Sequence, residues 1–240
     1  MLKEALKYLV GLGRPELVHT EDGWWTDREL ERVSFNPKAQ GIKLSTLTSL
    51  VDYIKSGVDA MPTEKMVVHV VNPLEVRLFS GLDDERLRET LAVVSGNVPD
   101  FKYGTYMGHE EFLIALQAKF LPGEYRERLL AFAGTVENGT VSSYGDDGVS
   151  QKAVIRKGVA GKEEAIVPNP VPLKPFRTFV EVEQPESAFV FRMRDDGSGG
   201  VKCAIFEADG GAWKNNAMDN IKNYLQEQLA ELGDMFTVIS

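Results

Sequence analysis

Between Pro168 and Leu232 the apolar residues change their spacing from every second position to every third or fourth, and few architectures satisfy both patterns in so short a span. In Phe176–Glu183 the residues Phe176, Thr178, Val180 and Val182 alternate with Arg177, Phe179, Glu181 and Glu183. In Ala188–Arg194, Phe189, Phe191 and Met193 alternate with Val190, Arg192 and Arg194. Strand side chains point to opposite faces in turn, so this pattern predicts strands covered on one side. A third strand is expected at Val201–Ala208, reached through the glycine-rich turn 195–200. Asp209-Gly210-Gly211 then leads into a helix over 212–232, with Asp209 as its expected cap. Trp213, Ala217, Ile221, Tyr224, Leu225, Leu229 and Leu232 form its apolar stripe. The sheet just made is the natural surface on which to bury that stripe.

Upstream, the pattern predicts helices at Leu2–Val10, Leu44–Val58 (with Ser45 as cap), from Asp83 or Asp84 to Val93, Gly108–Phe120 and Glu124–Phe132. Strands are expected at Leu17–Thr20, Trp24–Thr26, Leu30–Phe35, Met66–Val71 and Glu75–Phe79. Beyond Gly134 the texture turns to strand, with Thr135–Tyr144 and Val149–Lys157 flanking Gly145-Asp146-Asp147-Gly148 and a further strand at Glu163–Val167. The fold class is therefore α+β. A mixed helix and strand part over 1–133 precedes an antiparallel sheet and one closing amphipathic helix over 134–240, as two domains or one continuous domain.

Net charge is −9, which argues against duplex DNA held by bulk phosphate attraction. The single cysteine, Cys203, excludes an intrachain disulfide and falls in an alternating strand as a small core residue. His19, His69 and His109 have no metal-ligand spacing, and His69 sits in an apolar run as a hydrogen-bonded core or edge residue. The amphipathic start of the chain lacks a signal-peptide core, and no apolar run reaches the ~20 residues of a membrane span. The cytoplasm is the expected compartment, with no membrane association. No cofactor or metal is expected: Asp146-Asp147-Gly148 reads as a turn and lacks the ligand series of a calcium loop.

The sharpest polar set is Arg177, Glu181 and Glu183 on the first C-terminal strand, Arg192 and Arg194 on the second, and Lys202 on the third. Cross-strand ion pairs on a solvated face are the ordinary outcome. An anion-binding or partner surface is the functional one. Paired carboxylates at Glu181 and Glu183 suggest a magnesium nuclease, but the lysine such sites use does not follow. Trp24 and Trp25 face opposite ways on a strand; Trp25 is the candidate for stacking or an interface.

The motifs at 145–151, Pro168-Asn169-Pro170-Val171, 175–179, Glu183-Gln184-Pro185-Glu186-Ser187 and 206–213 resemble the YfdQ-like early-region proteins of phages and prophages, most clearly those from phages of Gram-positive bacteria. The resemblance implies an intracellular phage context and no particular reaction. The expected function is a non-enzymatic phage accessory protein, a homo-oligomer in the host cytoplasm that binds a host or phage protein or a small nucleotide signal, as in counter-defence. The alternatives are a recombination accessory that binds single-stranded DNA or a phage recombinase, and a metal-dependent nuclease or phosphodiesterase.

Overall fold

The computed structural model describes residues 2–13, 17–20, 23–26, 38, 40–59, 65–83, 86–138, 140–146, 150–157, 161–195 and 200–240. Met1–Lys38 and Ala39–Ser240 are separate compact units. The first holds helix α1 (Leu2–Leu12) and the antiparallel hairpin β1 (Leu17–Thr20) and β2 (Gly23–Thr26), both expected from the sequence. The strand expected at Leu30–Phe35 lies outside the described residues.

The second unit is α+β. In chain order it runs β3 (Ile42–Leu44), α2 (Leu47–Ser56), β4 (Met66–Asn72), β5 (Glu75–Phe79), β6 (Thr90–Ser95), β7 (Met107–Gly108), α3 (His109–Lys119) and α4 (Glu124–Asn138). It continues with β8 (Thr140–Asp146), β9 (Ser150–Lys157), β10 (Gly161–Pro168), β11 (Val171–Leu173), β12 (Ser187–Asp195), β13 (Val201–Glu207), α5 (Trp213–Leu229), a 3-10 segment (Ala230–Met235) and β14 (Phe236–Ile239). The strands form sheets in the orders β14-β4-β5-β6-β3, β11-β12-β13-β7 and β10-β9-β8. The first is mixed, with β14 parallel to β4 and β3 parallel to β6; the other two are antiparallel.

Each of the two larger sheets has its own core. Leu47, Leu50, Val51 and Ile54 of α2 and Ile221, Leu225 and Leu229 of α5 pack on Met66, Val68, Val76, Leu78, Val94 and Val238 of the first sheet. Phe112, Leu116 and Phe120 from α3 and Leu129 and Phe132 from α4 pack on Val171, Phe189, Phe191, Cys203 and Ile205 of the second. The stripe of α5 is thus buried as its spacing requires, but on β4 and β14 rather than on β12 and β13. The face of β12 and β13 that carries Phe189 and Phe191 is already filled by α3 and α4. Pairings also cross residue 133: β7 joins β13, β14 joins β4, and Phe120 bridges to Pro175.

Three local expectations are corrected. The described residues of the helix expected to run to Val93 are not helical: Asp83 accepts from Leu87 N–H (2.7 Å), and Thr90–Ser95 is β6, which pairs with β5 and β3. Thr46, not Ser45, caps α2, accepting from Ser49 N–H at 3.1 Å, and Gly57 ends it in the left-handed region. Residues 176–183 are not a strand. Pro175 and Pro185 bracket the stretch and have no N–H for a ladder. In place of a neighbouring strand, the Gln184 side chain accepts from Arg177 N–H (2.9 Å) and Thr178 N–H (3.1 Å) and donates to the carbonyls of Thr178, Phe179 and Val182.

That irregular loop ties the two cores together. Phe179 and Val182 enter the first core, where Phe179 lies over Gly96; a Cβ at Gly96 would come within 3.0 Å of its ring. Arg177 turns the other way, toward β12 and β13.

Candidate functional site

The structure separates the polar residues that the sequence grouped. Arg177 is structural. Its side chain is 6% exposed, donates to Glu207 Oε1 (2.7 Å) and to the Ser187 hydroxyl, and lies 4.0 Å over the Trp213 ring with Phe189 on its flank. Burial lowers its pKa, opposed by the surrounding Tyr103, Glu207 and Asp209. Trp213, the first residue of α5, is thereby fixed to the second sheet while the rest of the helix serves the first.

Asp209, expected as the helix cap, accepts from Ser187 Oγ–H (2.6 Å) and from Gly211 N–H (3.0 Å). Gly210 and Gly211 both have positive φ (63° and 84°), which glycine adopts without strain. Burial works against the charged form of Asp209, but these hydrogen bonds prevail and hold its pKa below the ordinary carboxylate value. A lowered native pKa contributes stability that is complete above the unfolded value of about 3.9 and is lost as pH falls through the native one. Urea titrations in acid should therefore show a shallower loss of stability for Asp209→Asn than for the wild type over that window. An identical acid dependence would rule this out.

Glu181 and Glu183 do not share a strand face. They flank Val182 in the loop after the exposed Val180: Glu181 lies 3.4 Å from Thr48 N–H, and Glu183 pairs with Lys174 at 2.8 Å. The Lys174 ammonium holds the Glu183 carboxyl below its ordinary pKa. Among the described residues no three His, Cys, Asp or Glu side chains gather into a metal-binding group. The nuclease reading thereby loses the shared strand face on which it was based. Cys203 is fully buried, and burial pushes its thiol pKa up to about 12, as suits a core residue. The backbone of Trp25 pairs with Val18 in the first unit; its side chain lies outside what the structure describes.

Arg192, Arg194 and Lys202 are brought together. The register sets Arg192 opposite Ala204 and Arg194 directly opposite Lys202, on the face of β12 and β13 turned away from α3 and α4. Phe189, Phe191 and Met193 fill the inner face, so the residues between them must point outward. Arg192 donates to the Phe191 carbonyl (2.9 Å). Arg194 lies 4.0 Å over the Tyr106 ring, which meets Phe206 edge-on at 6.2 Å. Like charges directly opposite on neighbouring strands are unfavourable. Among the described residues no carboxylate forms an ion pair with Arg194 or Lys202. An incoming anion would relieve that repulsion, and the flat ring of Tyr106 adds a stacking surface.

Tyr106 and Phe206 were missed in the sequence. Phe206 was accessible to it, because it alternates with Lys202 and Ala204. Tyr106 precedes a two-residue strand and belongs to no pattern.

Fold and face together define an α+β protein with a cationic, aromatic sheet surface. No helix among the described residues is long and apolar enough to cross a membrane. The chain matches no protein-family model, no curated protein and no solved structure.

Proposed function

We propose that this is a non-enzymatic phage accessory protein of the YfdQ-like kind, a homo-oligomer that acts in the host cytoplasm by binding a phosphate-bearing nucleotide signal on the outer face of β12 and β13. The observation that carries the reading is the opposition of Arg194 and Lys202 beside Tyr106, with no carboxylate paired to either among the described residues. Arg192, Arg194 and Lys202 hold phosphate oxygens, and Tyr106 or Phe206 stacks on the base. The net charge of −9 opposes anions at long range, but screening confines that repulsion to about 10 Å at ordinary salt, so local cations decide. The motifs that resemble those of the phage family suggest the setting, in which sequestering a defence signal or engaging a defence protein is the accessory role.

The test is calorimetric titration of the full chain with cyclic and linear dinucleotides, with single-stranded DNA and with inorganic phosphate, alongside native mass spectrometry of protein purified from infected cells. A nucleotide should bind in a salt-sensitive manner. Arg194→Glu and Lys202→Glu should each weaken it by roughly tenfold to a hundredfold, the scale of one lost hydrogen bond to a charged group. Preference for single-stranded DNA over every dinucleotide would favour the recombination reading. No binding, or binding indifferent to both substitutions, would remove the site.

A further inference from the structure

Helix α3 is apolar on two sides. Phe112 and Leu116 enter the second core, as one buried stripe requires. Beside them run two further rows at a spacing of four, Glu110–Ile114–Ala118 and Glu111–Ala115–Lys119, and residues so spaced stack along a helix face. Both rows are acidic where the helix starts and apolar in the middle, and the second ends in a lysine. Acids in the first turn and a base in the last suit the helix dipole. The apolar middle has no such explanation: Ile114 is 59% exposed, and the small side chains of Ala115 and Ala118 leave space beside it.

That space is a groove of about 530 Å³, within the usual range for small-ligand sites of about 300–1,000 Å³. Its other wall is Asp100-Phe101-Lys102 together with Met107. This wall is preformed. Phe101 is buried beside Tyr103 (ring centroids 4.9 Å) and edge-on to Phe120 (5.1 Å), and Lys119 Nζ donates to the Asp100 carbonyl, tying the segment to the last turn of α3. Lys102 and Lys119 therefore share one end of the groove. Glu110 and Glu111 lie toward the other, about 12–14 Å along the axis at the helical rise of about 1.5 Å per residue.

We propose that this groove binds a short apolar peptide with both termini free, its ammonium on Glu110 and Glu111, its carboxylate toward Lys102 and Lys119, and its side chains over Ile114 and Ala118. Charge complementarity selects that occupant: a neutral apolar molecule leaves both ends of the groove unmatched, and a simple cation or anion leaves one. An extended tripeptide spans about 10–11 Å and fits between the two ends. Groove and cationic face are distinct, because Met107 packs on the second core while its neighbour Tyr106 meets Arg194. The proposal does not rest on the anion-binding reading.

Calorimetric titration of the full chain with the tripeptide Ala-Leu-Ala, in its free, N-acetylated and C-amidated forms, tests it. The free peptide should bind, and either cap should weaken it about tenfold or more, the scale of one lost hydrogen bond to a charged group. Glu110→Gln combined with Glu111→Gln should erase the preference for a free N-terminus, and Lys102→Gln should reduce that for a free C-terminus. Ile114→Asp, at an exposed position, should abolish binding with an unchanged circular-dichroism spectrum, whereas Arg194→Glu should leave binding as it is. No binding at millimolar peptide, capped forms that bind as well as the free one, or binding unmoved by Ile114→Asp would each overturn the site. A cap without effect at one end only would overturn the two-ended recognition.

Discussion

Gln184→Ala should destabilise the protein by about 3–4 kcal/mol, read as a lowered urea midpoint with an unchanged slope. One side chain here takes the place of a whole strand. Its oxygen receives two backbone N–H groups and its amide nitrogen serves three carbonyls, all in a buried loop. Each buried group left without a partner costs about 1–3 kcal/mol, and truncation strands several at once. Gln184→Glu makes the sharper comparison. A carboxylate still accepts from Arg177 and Thr178 but turns its second oxygen toward carbonyls, so this near-isosteric change should also lose stability at neutral pH and recover part of it in acid, where protonation restores a donor. A Gln184→Ala protein as stable as the wild type would show that the loop is held by its apolar contacts alone.

Arg177→Ala should cost about 3 kcal/mol, at the lower end of the range for breaking a buried ion pair, because Glu207 keeps partial access to water. The loss falls on several partners: the Glu207 carboxylate, the Ser187 hydroxyl that donates on to Asp209, and the stacked Trp213 ring. Arg177→Lys should not rescue it, since an ammonium neither stacks as a plane nor reaches Glu207 and Ser187 together. Tryptophan fluorescence supplies a second readout, because release of the ring at the start of α5 changes its surroundings. Stability within about 0.5 kcal/mol of wild type, the scale of an ordinary surface substitution, would reduce Arg177 to a surface group.

Both residues were visible in the sequence and neither role was. Arg177 stood out as a charge alternating with apolar neighbours, which on a strand places it in solvent or at a binding site. The alternation was real, but residues 176–183 join no sheet, and the N–H groups of Arg177 and Thr178 go to the Gln184 side chain instead. Glu181 and Glu183 failed as a pair for the same reason, since spacing of two puts side chains on one face only where the backbone is extended. In β12 and β13 the backbone is extended, and Arg192, Arg194 and Lys202 fall together on the outer face as their spacing required.

Elements whose pattern is local were legible in the residues alone: α2, α3, α5, the β4–β5 hairpin, the β12–β13 pair, and the buried state of Cys203. Periodicity and turn chemistry act over a few residues and can be read from them. Long-range packing settled which sheet α5 covers, that β14 lies beside β4, and that Tyr106 lies beneath Arg194. An apolar stripe specifies that it must be buried without specifying its partner, because burial of apolar surface is non-directional; the partner is set by which sheet faces other helices have already filled.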